Sequence, residues 1–150
     1  LDYCNALYAG LSATNLSRLQ RIQNAAARIV TQSSRRSHAS PILSDLHWLP
    51  VRARINFKLA TLTYKTLASG KPNYLNNLLI PYIPKRQLRS AFSSKLAVPC
   101  RKSTMAQSKS FSSSAVSVWN SLPHSVTSAG DLKTFRTLLK THLFTDRQID

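Results

Sequence analysis

Few residues of this chain have side chains suited to catalysis, and those few are widely spaced. All five acidic residues are aspartates, with no glutamate, whereas 21 residues are Lys or Arg. Two-metal phosphoryl transfer requires at least two converging carboxylates. Only Asp146 and Asp150 lie close together in sequence, in a segment expected to be a frayed end. The sequence therefore argues against metal-dependent nucleotidyl transfer.

The remaining reactive side chains form no recognisable site. None of the four histidines lies four residues from another, and Cys4 and Cys100 have no partner at a zinc-like spacing. Serine and histidine are both present, but without a nucleophile elbow or a Cys–His signature. The three glycines are too scattered for a phosphate-binding loop. We therefore predict no cofactor, no metal site, no disulfide and no independent enzymatic activity.

Positive charge is the strongest functional signal in the sequence. The formal net charge is +16 over 150 residues, and a compact chain with this charge repels itself unless a polyanion supplies counter-charge. Nucleic acid is the first candidate, and an anionic membrane surface is the second. No apolar run approaches the roughly 20 residues of a spanning helix, and no lipidation or secretory signature is present. We therefore predict nucleic acid as the partner and no membrane.

The densest basic region spans residues 85–109. Between Asp45 and Asp131 there are 12 Lys or Arg residues and no acid, and seven of the 12 lie in this region. Interleaved serines can donate further hydrogen bonds to phosphate oxygens. The alternative is a solvated, flexible connector whose charge only keeps the chain soluble. The predicted phosphate-binding residues here are Lys85, Arg86, Arg89, Lys95, Arg101, Lys102 and Lys109.

A second basic surface is predicted on a long helix that begins after Ser12. Arg21 lies three residues after Arg18, and Arg28 lies seven residues after Arg21. The three arginines therefore share roughly one helical face. Such a face can follow a nucleic-acid backbone, and the alternative is an ordinary solvated face. Neither basic surface contains a base-reading motif, so we expect phosphate contacts without sequence recognition.

Hydrophobic periodicity predicts that helices position these residues. Apolar residues recur at helical spacing, between Ser, Gly or Pro boundaries, in 1–11, 12–30, 40–46, 51–67, 74–79, 111–122 and 132–143. Ser12 and Ser40 are predicted N-caps. Segment 51–67 is apolar on two sides and is expected to be central. Pro99 marks 96–100 as an edge strand or an extended segment.

Two further features of the pattern concern packing. In segment 12–30 one apolar stripe is expected, with the arginines on another side of the helix; it is formed by Leu16, Leu19, Ile22, Ala26, Ile29 and Val30. Trp48 and Trp119 each precede a proline that ends an element, so they are expected to fill corners between elements rather than to stack on bases. Trp119 and Phe135 are predicted to lie in one apolar cluster.

The predicted fold class is mainly α. We expect one small helical domain over 1–150, with about five to seven helices and an irregular basic connection around 80–110. Residues 1–79 form its helical part, residues 80–110 a basic linker or loop, and residues 111–150 two closing helices. The helices of 1–79 and 111–145 are expected to pack together.

Six phrases of the sequence, taken in order, resemble one known family. They are LDYCNALYAGL at 1–11, RLQRIQNAAARIV at 18–30, LHWLPVRARINFKLATLTYKTL at 46–67, KPNYLNNLL at 71–79, AVSVWNSLP at 115–123 and FRTLLKTHLF at 135–144. Together they resemble the carboxy-terminal region of the reverse-transcriptase polyprotein of LINE-type, non-LTR retrotransposons of the jockey-like group. The likeness runs over nearly the whole chain.

The resemblance implies a helical, basic accessory region that helps hold template RNA or target DNA for an upstream polymerase domain. In such polyproteins an endonuclease and then the polymerase precede this region, so their catalytic residues have no matching positions here. The zinc knuckle that ends some of these proteins is not matched either. The location implied is intracellular, in nucleus and cytoplasm. Two alternatives stay open: a structural domain that docks on the polymerase thumb, and a decayed copy without activity.

The sequence begins at Leu1, and its one methionine is Met105. We therefore expect a piece of a longer reading frame. Upstream sequence is predicted to encode, intact or decayed, a polymerase palm with an aromatic residue followed by two aspartates.

Overall fold

The computed structural model describes residues 3–84, 94–99 and 110–145. These residues are mainly helical, which confirms the predicted fold class. Within the described ranges, a 3₁₀ helix at Asn5–Gly10 precedes seven α-helices. Their bounds are α1 Ala13–Val30, α2 Ala39–Asp45, α3 Val51–Ser69, α4 Asn73–Asn76, α5 Phe111–Ser121, α6 His124–Thr127 and α7 Leu132–Thr145. The short α6 was not predicted from the sequence. It lies between the two closing helices, α5 and α7.

Short polar residues cap α1, α5 and α7, as N-cap preferences lead us to expect, whereas Pro50 precedes α3. Ser12 accepts a hydrogen bond from the backbone N–H of Asn15 at 3.4 Å, which confirms its predicted capping role. Ser110 caps α5 in the same way. The prediction that Ser40 caps α2 is wrong, because the helix begins at Ala39 and His38 occupies the N-cap position without a side-chain hydrogen bond.

Three helices are followed by a residue in the left-handed conformation: Gln32 after α1, His47 after α2 and Gly70 after α3. Gly70 ends α3 at φ 67°, and its N–H donates to the carbonyl of Thr66. His47 follows α2 at φ 52°, a position where glycine is usual and where histidine is better tolerated than most residues. The N–H of Trp48 then donates to the carbonyl of Leu43 at 2.8 Å, and its ring packs beside Leu43. Trp48 thus fills a corner between elements, as predicted.

Helix α3 lies at the centre of the fold, as its apolar residues on two sides predict. It contacts the 3₁₀ helix, α1, α5 and α7. The helices within 1–79 and 111–145 therefore pack together, as expected. Three aromatic rings form the middle of the main core: Phe135 stacks on Tyr64 at a centroid distance of 4.3 Å and on Trp119 at 6.0 Å. The predicted Trp119–Phe135 cluster is confirmed.

The expected apolar stripe of α1 is only partly buried. Ile22, Ile29 and Val30 are 60%, 77% and 60% exposed, whereas the buried residues of the helix are Gln23 and Ala27. The helix is therefore rotated relative to the prediction, so that Ile22 and Ile29 lie on the outer surface with Arg18. The physical reason is that Gln20 and Gln23 form hydrogen bonds with the main chain at the start of α3.

The described part of the basic connection is attached to the core. Leu96 is 4% exposed and pairs with Pro81 in an isolated antiparallel bridge. The N–H of Tyr82 donates to Lys95, and the N–H of Ala97 donates to Ile80. The described residues 94–99 thus include one β-bridge, at Leu96, and no strand. The edge strand predicted at 96–100 is reduced to this bridge over the residues described.

Candidate nucleic-acid interface

The three arginines predicted on α1 have different environments. Arg18 and Arg21 are exposed. Arg28 is half-buried, and its Nε and Nη2 donate to the carbonyl oxygen of Ser37 at 3.0 and 2.9 Å. These bonds hold the loop after α1 against the helix. Arg18 and Arg21 are therefore the two residues of this predicted face whose guanidinium groups lie open to solvent, while Arg28 has a structural contact.

The two glutamines beside these arginines have structural roles. Gln20 accepts a hydrogen bond from the backbone N–H of Val51 at 2.9 Å, and Gln23 donates to the carbonyl of Leu49 at 2.8 Å. Val51 is the first residue of α3, where backbone N–H groups have no partner inside the helix. The phrase LQRIQN at 19–24 thus places the start of α3 against α1.

Most of the predicted basic connection lies outside the described residues. This applies to Lys85, Arg86, Arg89, Arg101, Lys102 and Lys109, whose phosphate contacts stay predictions. Lys95 is described and is exposed, next to the buried Leu96. The structure therefore offers Lys95 to solvent from a segment that is tied to the core.

A basic groove along α7 was missed by the sequence-based prediction. The groove has a volume of about 950 Å³ and lies between α7, the side of α3 and the end of α2. Its cations are Lys133, Arg136 and Lys140, all exposed and spaced at i, i+3 and i+7. None of the described residues that line it is acidic. The spacing of the three cations can be read from the sequence, whereas their place beside α3 and α2 depends on the packing of the helices.

Aromatic rings lie among the cations of this groove, which we call the α7 groove. The guanidinium carbon of Arg136 is 5.9 Å from the ring centroid of Phe57, and Nζ of Lys140 is 5.8 Å from that of Phe144. Both distances allow cation–π attraction. Phe57 belongs to α3, so the groove joins residues about ninety positions apart in sequence. Position along the chain gives no hint of this proximity.

Asp131 lies just before α7 and sets the start of this helix. Its carboxylate oxygen Oδ2 accepts hydrogen bonds from the backbone N–H groups of Lys133 and Thr134 at 2.9 and 3.0 Å. Hydrogen bonds from Thr134 are the main cause that lowers the pKa of Asp131 below its ordinary value of 3.8, and the nearby charge of Lys133 contributes. The ionised carboxylate therefore caps the helix that carries the groove cations.

Possible metal ligands are scattered in the described part of the chain. Its side chains contain no group of three or more His, Cys, Asp or Glu residues that could hold a metal ion. No helix in residues 3–84, 94–99 or 110–145 has the length and apolarity to cross a membrane. What the α7 groove can do is attract an anion and offer aromatic surface beside it.

Comparison of this chain with protein-family models, curated proteins and solved structures found nothing that matches it.

Proposed function

We propose that this chain binds nucleic acid without catalysis, as an accessory region of a retrotransposon reverse transcriptase that helps hold template RNA or target DNA. The observation that carries the proposal is the α7 groove, where three exposed cations line one side of a helix and no described lining residue is acidic. The three cations repel one another, and the nearby carboxylate of Asp131 offsets only part of their charge, so the groove favours a polyanion. The resemblance of the sequence to such polyproteins supports the accessory role.

Exposed cations elsewhere extend this basic surface. Arg18 and Arg21 on α1 and Lys95 beside Leu96 are open to solvent. Phosphate contacts need long cationic side chains in such positions and no particular base sequence. The proposal therefore expects affinity for RNA and DNA of unrelated sequences, with the polymerase domain of the same polyprotein as the second partner.

A structural docking role is the second candidate, and one observation favours it. Ile22, Ile29 and Val30 form an exposed apolar strip on the outer side of α1. A strip of this kind fits the surface of another domain, such as the polymerase thumb. In that role the positive charge would be incidental.

Binding to short labelled oligonucleotides separates the two candidates. The chain is titrated into single-stranded RNA, single-stranded DNA and duplex DNA at low salt, with fluorescence anisotropy as the readout. Nucleic-acid binding predicts about micromolar affinity or tighter. A charge-neutralised groove variant, Lys133→Ala/Arg136→Ala/Lys140→Ala, should bind more weakly than a variant that removes equal charge elsewhere, Arg35→Ala/Lys65→Ala/Lys71→Ala. No binding to any of the three probes would favour the docking role.

A further inference from the structure

The threonine hydroxyl groups with which α7 lines the α7 groove are already used as donors. Thr137 donates to the carbonyl of Lys133, and Thr141 donates to that of Thr137, both at 3.1 Å. Thr145 donates to Thr141 at 3.0 Å. Each hydroxyl proton is thus used by the helix backbone, which leaves methyl groups and oxygen lone pairs. These threonines cannot donate to phosphate oxygens, so we expect bases beside them and phosphates at the cations.

The aromatic rings of the α7 groove also favour contacts with bases, with the phosphates left to the cations. Phe57 and Phe144 are half-buried and line the groove together with the cations that contact them. Base faces stack on phenylalanine rings and on the planar guanidinium group of arginine. In a duplex these faces are covered by neighbouring base pairs, so stacking of this kind requires an unpaired strand.

From these observations we infer that the α7 groove binds a single strand of RNA or DNA, with its bases stacked on Phe144 and on the Phe57–Arg136 pair and its phosphates held by Lys133 and Lys140. The inference rests on the proposed function and adds which form of nucleic acid the groove takes. From Lys133 to Phe144 the helix spans about 16 Å, several times the rise of ~3.4 Å per nucleotide of a stacked strand. The groove can therefore contact more than one nucleotide.

The test compares three probes of equal length: an unstructured single strand, the same strand with abasic sites in place of bases, and a duplex. Each is titrated by anisotropy with the whole chain and with Phe144→Ala. The matched control is Leu138→Ala, which truncates an apolar side chain of α7 that does not line the groove. Circular dichroism checks that each variant is folded.

We expect Phe144→Ala to weaken binding of the intact single strand by roughly five-fold to a hundred-fold, the range of one lost base–aromatic stack. Leu138→Ala should have little effect, and Phe144→Trp should restore binding. The abasic strand should bind more weakly than the intact strand and should not respond to Phe144→Ala. Because Phe144 is half-buried near the end of the last helix, its replacement should leave the core around Phe135 in place.

Three results would each overturn the inference while leaving nucleic-acid binding intact. The first is equal affinity for intact and abasic strands, with Phe144→Ala and Leu138→Ala indistinguishable. The second is stronger binding of the duplex with the same insensitivity to Phe144. The third is equally effective competition by an acidic polypeptide, which would show a purely ionic surface. Failure to bind any probe would instead overturn the proposed function itself.

Discussion

The side-chain amide of Asn120 pairs with the main chain of Leu96 in both directions. Its Oδ1 accepts from the N–H of Leu96 at 2.9 Å, and its Nδ2 donates to the carbonyl of Leu96 at 2.8 Å. The neighbouring Trp119 donates from Nε1 to the carbonyl of Ser94 at 2.7 Å. Residues 119 and 120 therefore provide, from a helix, the hydrogen bonds that a strand would give to this segment.

Replacement of Asn120 should detach this segment from α5. In Asn120→Ala the backbone N–H and carbonyl groups of the buried Leu96 both lose their partner. We expect a loss of roughly 2 kcal/mol in the free energy of unfolding. Asn120→Asp should also destabilise, because it keeps the acceptor but faces the Leu96 carbonyl with a carboxylate. Urea denaturation measures both, with the exposed Asn77→Ala as control. Equal stability of Asn120→Ala and the control would contradict this role.

The two glutamines of α1 should respond differently to replacement by methionine. Gln20→Met leaves the N–H of Val51 without its acceptor, and we expect a loss of about 1–2 kcal/mol. Gln23→Met also removes a bond to Leu49, but that carbonyl still accepts from Nε of Arg54 at 2.9 Å. It also removes a buried Oε1 that accepts no hydrogen bond from a described residue. Gln23→Met should therefore stay within about 0.5 kcal/mol of the wild type, and the reverse order of unfolding midpoints would refute this explanation.

Trp119 is predicted to act in stability and not in binding. Its ring lies in the main core against Phe135, so Trp119→Ala should cost roughly 3–5 kcal/mol. The milder Trp119→Phe should stay folded and bind nucleic acid as the wild type does. Thermal unfolding and anisotropy measure the two properties. An unchanged melting temperature together with lost binding would make Trp119 a stacking residue instead.

The cap at Asp131 predicts a specific dependence of stability on acid. The pKa of this carboxyl is lowered in the folded chain, so its contribution is fully present above the unfolded-state pKa and is lost as pH falls through the lowered value. Asp131→Asn should therefore lower Tm at neutral pH, and the difference from the wild type should shrink only below the ordinary value of 3.8. Asp45→Asn, another exposed aspartate, is the control. A Tm difference that is constant down to the lowest pH would show that the charge does not matter.

The helices could be predicted from the sequence because apolar spacing and capping residues act locally. Ser12, Gly70 and the residues before Pro72 and Pro123 delimit their elements by backbone chemistry alone. The rotation of α1 could not be predicted in this way. It depends on Gln20 and Gln23 meeting the start of α3, and hydrogen bonds between elements leave no periodic trace in the sequence.

The candidate site was predictable only in part, for a similar reason. The exposed arginines of α1 follow from helical spacing, and so do the three cations of α7 once that helix is inspected for charge. The contact of Arg136 with Phe57 arises from packing of α7 on α3. The density of positive charge along the chain indicates residues 85–109 instead of α7. Of the cations predicted there, the structure describes Lys95.

We propose above all that this chain binds nucleic acid through phosphate contacts. The dependence of its binding affinity on salt concentration is the most direct test. The affinity of the intact chain is measured against two unrelated oligonucleotides as salt is raised, together with Arg86→Ala/Arg89→Ala, Arg101→Ala/Lys102→Ala and the triple variant of the α7 groove. We predict the same linear fall of log affinity with log salt for both sequences, and a slope smaller by roughly one for each contacting residue that is neutralised. Absence of binding at low salt, or a slope that no folded variant changes, would contradict the claim.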